Sequence, residues 1–541
     1  MRKYRCLVIV LMIALPCVAQ SWQDTVALIE KSMSRYQPQN PGCQLSISRN
    51  GEIIFSKAWG MADLEHAIPL TTNNVTEAGS VSKQFTAAAI LLLEQQSKLS
   101  LNDDVRKYIP ELPDYGAPIK LEQMMHHTSG LRDWGAIAAL TGWPRSTKAY
   151  GNEDALEIIA QQKEVNNIPG AEYIYSNSGY NLFAIIVERV SGLSLAEFTK
   201  KNIFIPAGMK HTQWRDDHNR VVPGRAIAYS LTGNGYETDM PNENVYGNGG
   251  LLTTTEDLLK WNQYYQAGKF GNPSLLTKQL TAVPFNNGLM NNYGAGLFLN
   301  KTAGMDYIGH SGSTAGYRAN LDYISSLNLA IAFLSNTSQF DTSSINIAAN
   351  IRNIFISNSA SPAAPIKGAA VMVAPEMLKQ FTGWYRNNRN GNGMHVTLKD
   401  SSLVMDNNAV LTPVEKNNFI SNINRIIFDK NGLTYIIPGR DSIIYSKVDS
   451  AKYSVDLLKE YTGKYYSEET RSFITVSLKH DSLNIHLKPG LDFQVQATYR
   501  DAFNISGLGG NLYFERNKNN KCEKMKISIS RARNVDFSKV E

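Results

Sequence analysis

An internal duplication in the last third of the chain constrains the fold more than any other feature. Residues 378–385 (LKQFTGWY) are matched by residues 458–465 (LKEYTGKY), 80 positions further along, and residues 396–399 are matched by 476–479 at the same offset. Two matches in one register indicate a duplicated unit. Each copy alternates short strand-like runs with Asn, Gly and Asp turns, which predicts a small closed antiparallel β-barrel.

The length of 541 residues predicts more than one domain, because a single core rarely grows so large. Residues 357–375 are rich in Ala, Ser and Pro and are typical of a linker. The predicted organisation is a mixed domain at 22–356, this linker, and two barrel-like repeats at 376–452 and 456–541.

The mixed domain carries strand signals at both of its ends. The strand-like runs are 43–49 and 52–59, joined by the hairpin signal Asn50-Gly51, and later 317–324 and 327–335; helix-like stretches cover 24–36 and 344–356. Strands at both ends with helices between them predict an α/β (α+β) sandwich whose chain ends share one antiparallel sheet.

The N-terminus is typical of an export signal. Basic residues at positions 2, 3 and 5 precede an apolar run at 6–15 and small residues at 17–19, which predicts a signal peptide over residues 1–19. The apolar run is shorter than the ~20 residues of a membrane-spanning helix. We expect a periplasmic or secreted protein with no transmembrane helix in the mature chain. A lipid anchor at Cys17 is disfavoured because Pro16 directly precedes it.

Charge and cysteine usage narrow the function classes. The net charge of +6 is scattered along the chain, which gives no argument for nucleic-acid binding. Cys43 and Cys522 remain after removal of the signal and fall in different predicted domains. Their spacing fits neither a disulfide framework nor a zinc site, so Cys43 is interpreted as a buried strand thiol.

The tetrad Ser80–Lys83 (SVSK) opens a strongly apolar segment, 85–93. In a helix that begins at Ser80, both side chains lie on one face, one turn apart. The lysine amine can then take the proton of the hydroxyl, and the free N–H groups at the helix start can hold an oxyanion. The motif is short, and a solvated helix start is the alternative.

Two further segments carry candidate site residues. Tyr175 follows the loop signal Pro169-Gly170, and an ammonium at Lys83 would favour its phenolate; the alternative is a core tyrosine beside a turn. His310 precedes Gly312, which allows close backbone approach, and Ser313, whose N–H is a candidate second oxyanion donor; the alternative for His310 is a structural role.

Two other motifs are interpreted as structural. The pair His126-His127 has no further ligand set, so residues 126–131 predict a turn and no metal site. Residues 247–257 predict a glycine turn followed by a Thr-capped helix with Asp257 in its first turn.

The motifs together resemble the serine β-lactamase and penicillin-binding-protein family, whose signatures are S-x-x-K, S-D-N and K-T-G. The chain is similar to the class C β-lactamase branch, in which Tyr-x-Asn replaces S-D-N. Ser80 and Lys83, Tyr175 and Asn177, and residues 310–312 carry the resemblance, with family-like flanks over most of 22–356. The chain lacks the G-x-S-x-G of α/β-hydrolases.

The third motif departs from the family pattern because it reads H-S-G. The lysine of K-T-G helps to hold a substrate carboxylate, whereas histidine is largely neutral near pH 7. We therefore expect weaker carboxylate binding and weaker classical β-lactamase activity. The H-x-G variant is similar to esterase-like and D-aminopeptidase-like members, and serine D-aminopeptidases also carry two C-terminal barrels.

The resemblance implies acyl transfer by an exported serine hydrolase. It implies Ser80 as nucleophile, Lys83 and Tyr175 as shared base and acid, Asn177, His310, Ser311 and Gly312 as substrate-binding residues, and the N–H groups of Ser80 and Ser313 as oxyanion hole. It implies no metal or organic cofactor. The implied substrate is a small amide or ester, such as a D-amino-acid peptide or a cell-wall fragment. A true β-lactamase and a non-catalytic penicillin-binding-like sensor are the alternatives.

Overall fold

The computed structural model describes residues 21–340, 343–356, 371, 373–438 and 441–540. The signal peptide predicted at 1–19 lies outside the described residues, and so do positions 357–370 and 372 of the predicted linker. The domain boundaries assigned from the sequence stay predictions.

The first domain is built on a six-stranded antiparallel sheet. The strands of this domain are β1 (Cys43–Arg49), β2 (Glu52–Trp59), β3 (Met61–Asp63), β4 (Ile68–Pro69), β5 (Thr76–Glu77), β6 (Gln213–Trp214), β7 (Tyr229–Thr232), β8 (Gly235–Thr238), β9 (Leu251–Thr253), β10 (Phe298–Thr302), β11 (Met305–Thr314), β12 (Tyr317–Ile324) and β13 (Leu329–Ser335). The order of strands in the six-stranded sheet is β10-β11-β12-β13-β1-β2. The predicted joining of the chain ends in one sheet is confirmed, with Cys43 opposite Ser335.

Helices cover both faces of this sheet. They are α1 (Trp22–Met33), α2 (Lys83–Gln95), α3 (Leu121–Met125), α4 (Trp134–Leu140), α5 (Asn152–Ala160), α6 (Asn177–Ser191), α7 (Leu195–Thr199), α8 (Thr255–Gln266), α9 (Pro273–Gln279) and α10 (Ser343–Ile356). Since strand side chains alternate between faces, Ile331 and Phe333 of β13 pack with α1 and α10, and Ala332 and Leu334 join the core around α2 and α6. The predicted sandwich is thereby confirmed.

The C-terminal region forms two closed eight-stranded antiparallel barrels, as the duplication predicts. The first contains a short helix α11 (Pro375–Leu378) and strands β14 (Gly383–Asn387), β15 (Gly393–Lys399), β16 (Ser402–Met405), β17 (Ala409–Glu415), β18 (Asn418–Ser421), β19 (Asn424–Phe428), β20 (Gly432–Ile436) and β21 (Ile443–Val448). The second contains α12 (Val455–Lys459), β22 (Gly463–Ser467), β23 (Ser472–Lys479), β24 (Ser482–Lys488), β25 (Leu491–Ala497), β26 (Ala502–Ile505), β27 (Gly510–Arg516), β28 (Cys522–Ile529) and β29 (Ala532–Lys539).

Equivalent tyrosines show that the two barrels repeat one design. The hydroxyl of Tyr385 donates to the carbonyl of Phe381 at 2.8 Å, and that of Tyr465 donates to Tyr461 at 2.9 Å. Each bond closes the turn that leads from the short helix into the first strand of its barrel.

The second barrel docks on the first domain through apolar and charged contacts. Ile137 and Leu140 of α4 belong to the same buried cluster as the core of this barrel. Arg132 Nη1 donates to Glu469 Oε1 at 2.5 Å, and both side chains are buried. Glu469 Oε1 also accepts from Lys163 N at 2.8 Å. Within the described ranges, no helix combines the length and the apolar character needed to cross a bilayer.

We predict that Glu469→Gln destabilises the protein by about 3 kcal/mol, because the buried guanidinium of Arg132 then keeps only the exposed carboxylate of Glu164, 3.9 Å away, as an opposite charge. Urea denaturation followed by tryptophan fluorescence measures the loss. Glu468→Gln is the matched control, because the neighbouring Glu468 pairs with Lys163 at the surface. Equal stability of the two variants would contradict a role for the buried pair in docking.

Candidate active site

The predicted nucleophile lies in a tight turn at the start of a buried helix. Residues 79–82 form a 3₁₀ turn that leads directly into α2, so the helix expected from Ser80 is α-helical only from Lys83. Ser82 Oγ accepts a hydrogen bond from Leu251 N at 3.1 Å and fixes the turn. Since α2 is buried on almost every side, Ser80 is held at a rigid position at its end.

Lys83 is completely buried, and its amine faces three oxygen atoms. Lys83 Nζ lies 2.9 Å from Asn177 Oδ1, 2.5 Å from the carbonyl oxygen of Asn248 and 3.3 Å from Ser80 Oγ. Burial holds the pKa of Lys83 well below its ordinary value, and the charges of Arg531 and Arg145 lower it further. Burial therefore favours the neutral amine.

The neutral amine has one arrangement that satisfies all three contacts. The oxygen atoms of Asn177 and Asn248 are acceptors, so they take the two N–H donors of the amine. The remaining lone pair then faces Ser80 Oγ. In this arrangement Lys83 can accept the hydroxyl proton of Ser80.

The loop that contains Asn248 has a role beyond the helix start interpreted from the sequence. Thr254 does cap α8 as expected, with its side chain accepting from Asp257 N. The same loop also presents the Asn248 carbonyl to Lys83, and Asn181 Nδ2 donates to Asn248 Oδ1 at 3.0 Å. The sequence gives no sign of this contact because the acceptor is a backbone atom.

Tyr175 occupies the expected loop, directly before α6, but its electrostatics are opposite to those expected. Burial raises the pKa of Tyr175, and the neighbouring Ser80 lowers it by less. Lys83 Nζ lies 4.9 Å from the ring centroid, so the amine meets the face of the ring. The expectation of a phenolate is therefore wrong: burial outweighs any stabilising charge, and Tyr175 is a neutral phenol.

His310 lies on β11 and is buried and neutral. Burial and the neighbouring Lys83 lower the pKa of His310 to about 3. Its Nδ1 lies 2.5 Å from the carbonyl oxygen of Ser311 and therefore donates, which leaves Nε2 to accept from the Tyr293 hydroxyl at 3.0 Å. The neutral histidine expected from the sequence is present, and both of its nitrogen atoms are occupied by these bonds.

Two glycines bring β11 against the nucleophile turn. A Cβ on Gly312 would lie 2.1 Å from the carbonyl oxygen of Ala78 and 3.1 Å from Ser80 N, and one on Gly79 would lie 2.8 Å from Ser313 N. The backbones touch here because neither residue has a side chain. The backbone segments that carry the amide groups of Ser80 and Ser313, the two predicted oxyanion donors, are thereby brought close together.

Two residues outside the predicted set hold the segment of Tyr175 and Asn177. Asp133 Oδ2 accepts from Asn177 N at 2.7 Å, and His127 Nδ1 accepts from Ser176 N at 3.2 Å. The His127 ring lies 4.2 Å from the ring of Tyr175, centroid to centroid. The turn predicted at 126–131 is present, and it also supports the candidate acid–base residue.

Both barrels also contact the loop that presents Tyr175. Arg389 of the first barrel donates to Glu172 Oε2 at 2.8 Å, and Arg533 of the second donates to Glu172 Oε1 at 2.8 Å. Glu172 is three residues before Tyr175, so the two barrels jointly restrain this loop. These pairs join positions far apart in the chain, and no local sequence pattern indicates them.

Comparison with known proteins assigns the first domain. A family model described as Beta-lactamase matches residues 23–354, which is more than half of the chain. The chain belongs to the β-lactamase family. The family resemblance inferred from the three motifs is thus confirmed.

Named relatives differ in the activity that their names state. The chain is 30% identical to penicillin-binding protein 4* of Bacillus subtilis (strain 168) over 318 residues, covering 53% of this chain and 66% of that protein. It is 28% identical to a D-aminopeptidase of Brucella anthropi over 349 residues, covering 62% of this chain and 64% of that protein. Each alignment spans just under two thirds of the relative's length.

A solved structure shares the fold. The octameric penicillin-binding protein homologue from Pyrococcus abyssi superposes with a TM-score of 0.54 and 24% identity, covering 78% of this chain and 99% of that chain. At this identity the similarity establishes the fold alone.

We predict that Gly312→Ala abolishes most activity of this site, because the new methyl group would collide with the carbonyl of Ala78 and push β11 away from Ser80. Labelling of Ser80 by a fluorophosphonate measures whether the serine still reacts. Gly233→Ala is the control, since a Cβ at Gly233 meets no atom within 4 Å. Full labelling of the Gly312 variant would contradict the close approach as a requirement.

Proposed function

We propose that this chain is an exported serine hydrolase that cleaves small amides or esters of D-amino acids through an acyl-enzyme. The observation that carries the proposal is the buried Lys83 amine, 3.3 Å from Ser80 Oγ, with its other contacts taken by two carbonyl oxygens. A lysine that only supported the fold would not need a serine beside its amine. A lysine that acts as the base for Ser80 must lie next to the Ser80 hydroxyl.

Acylation uses Ser80 as nucleophile and Lys83 as base. The Ser80 hydroxyl gives its proton to the neutral amine while Oγ bonds to the substrate carbonyl carbon. The oxyanion that forms is held by the N–H groups of Ser80 and Ser313. Tyr175, a neutral phenol, donates its proton to the leaving nitrogen or oxygen as that bond breaks, and it regains a proton from the Lys83 ammonium.

In deacylation, water takes the place of the Ser80 hydroxyl as nucleophile. The water molecule gives a proton to Lys83 while the water oxygen bonds to the acyl carbon. The bond between the acyl carbon and Ser80 Oγ then breaks, and Ser80 Oγ regains a proton. Asn177 Oδ1 is held by Lys83, so its amide Nδ2 is left to orient the acyl group of the substrate. His310, Ser311 and Gly312 form the wall along β11.

The substrate class rests on the relatives and on the third motif. One relative is named a D-aminopeptidase, and the H-S-G motif of this chain lacks the lysine that serves carboxylate recognition in β-lactamases. Cell-wall peptides are a natural source of D-amino acids for an exported enzyme. A true β-lactamase and a non-catalytic sensor would keep the same pocket, and turnover distinguishes them.

We predict that Ser80→Ala removes hydrolysis of a short p-nitrophenyl ester and of a D-alanine p-nitroanilide, lowering kcat by about 10³-fold or more, because the nucleophile is lost. Lys83→Arg should lower kcat by about 10²- to 10⁴-fold, since a guanidinium does not deprotonate. Absorbance of the released chromophore measures both rates.

Lys98→Arg is the matched control for the lysine variant, because Lys98 is exposed on the surface near the end of α2. Unchanged rates in the Ser80 and Lys83 variants would contradict the proposed mechanism. A wild-type protein that forms a stable adduct with a β-lactam but releases no product from any substrate would favour the sensor alternative.

A further inference from the structure

One arginine of the second barrel reaches the candidate active site. Arg531 lies in the turn between β28 and β29, and its carbonyl oxygen accepts from Asp133 N at 3.2 Å and from Asn166 Nδ2 at 2.8 Å. Arg533 N donates to Asn166 Oδ1 at 2.8 Å. Hydrogen bonds from the backbone of this turn to Asp133 and Asn166 of the first domain therefore fix its position.

The guanidinium of Arg531 lies over the ring of Tyr175. Its Cζ lies 4.4 Å from the ring centroid, and the side chain is 41% exposed. A guanidinium over an aromatic face is attracted by the ring and keeps its N–H groups directed outward in its own plane. Arg531 therefore covers one face of the Tyr175 ring, and a substantial part of its side chain stays accessible to a ligand from solvent.

The hydrogen-bonding capacity of this guanidinium is unused. The carboxylate of Asp133 approaches it, but Oδ2 lies 3.9 Å from Nη1, beyond hydrogen-bond distance. That carboxylate already accepts from the N–H groups of Asn177, Gly135 and Ala136. In the part of the chain that the structure describes, the Arg531 guanidinium donates no hydrogen bond.

The other basic side chains near Tyr175 are neutral or already have partners. Lys83 is buried and donates to Asn177 and Asn248. Arg145, whose charge also influences Lys83, forms an ion pair with the buried Glu243. His310 is neutral and has both nitrogen atoms occupied. A negatively charged ligand in this site thus meets Arg531 as its available partner.

We infer that Arg531 binds a carboxylate on the leaving group of the substrate, and so selects acyl donors such as D-peptides with a free C-terminus. This inference rests on the proposed function, in which Tyr175 gives a proton to the leaving group. Arg531 lies over the ring of Tyr175 and so beside the residue that contacts the leaving group. The planar fork of a guanidinium matches a carboxylate through two parallel hydrogen bonds.

Arg531 offers a second cation for the carboxylate that the H-S-G motif does not serve. Histidine at position 310 by itself predicts weak carboxylate binding. An arginine supplied by another domain restores a cation at the mouth of the site. The second barrel then contributes to substrate recognition directly, in addition to its packing against α4.

Two thioesters test this inference because they differ only in charge. N-acetyl-D-alanyl thioglycolate carries a carboxylate on its leaving group, and the matching thioglycolamide does not. The wild-type protein should have the higher kcat/KM on the charged thioester, mainly through a lower KM, and added NaCl should reduce this preference. In Arg531→Gln, the ratio of kcat/KM values, charged over neutral, should fall about 10- to 100-fold. Arg531→Lys should retain part of the preference for the charged thioester.

Arg500→Gln is the matched control, because Arg500 is an exposed arginine in a different turn of the same barrel. It should leave the ratio unchanged, and thermal unfolding shows whether each variant is folded. An unchanged ratio in the Arg531 variants, or no charge preference in the wild type, overturns the inference.

Labelling of Ser80 by a fluorophosphonate distinguishes a failure of the proposed role of Arg531 from a failure of the proposed function. A reactive Ser80 that hydrolyses both thioesters equally rejects the role of Arg531 and leaves the proposed function standing. An unreactive Ser80 with no thiol released from either thioester rejects both.

Discussion

The burial of the Lys83 amine is the interaction on which the rest of the site depends. An ammonium taken out of water without a partner carboxylate is costly, so the site favours the neutral form. The carbonyl oxygens of Asn177 and Asn248 then orient the two N–H groups, and the lone pair is aimed at Ser80. Tyr175 is buried as well, and its burial keeps the phenol protonated. Burial thus favours a neutral lysine that can accept a proton and a neutral phenol that can donate one.

The elements around the site keep the Lys83 amine buried. The apolar helix α2 carries Lys83 into the core, and Gly312 lets β11 close over the turn of Ser80 without a gap. The barrels add a third layer, since Glu172 is held by an arginine from each barrel and Arg531 covers the ring of Tyr175. The Lys83 amine is thereby kept from water, while Ser80 remains partly exposed.

The sequence predicts those parts of this arrangement that have local signals. The S-x-x-K tetrad, the Tyr175 loop and the Asn50-Gly51 hairpin are each visible in a few residues, and the duplication reveals the barrels. The pKa of Tyr175 was predicted with the wrong sign because burial depends on tertiary contacts. Asn248 and Arg531 were missed because one acts through its backbone and the other comes from a turn more than 350 residues after Tyr175.

The pH dependence of Ser80 acylation shows whether Lys83 acts as a neutral base for Ser80. The rate of labelling by a neutral fluorophosphonate, followed by mass spectrometry of the intact protein, reports on the base without a contribution from deacylation. Because burial lowers the pKa of Lys83, we predict that the rate rises with pH through one ionisation well below ~10.4, the ordinary value for lysine, and that this rise is absent in Lys83→Ala. A rise near the ordinary lysine value, or the same profile in the Lys83 variant, would show that Lys83 is not the neutral base of Ser80.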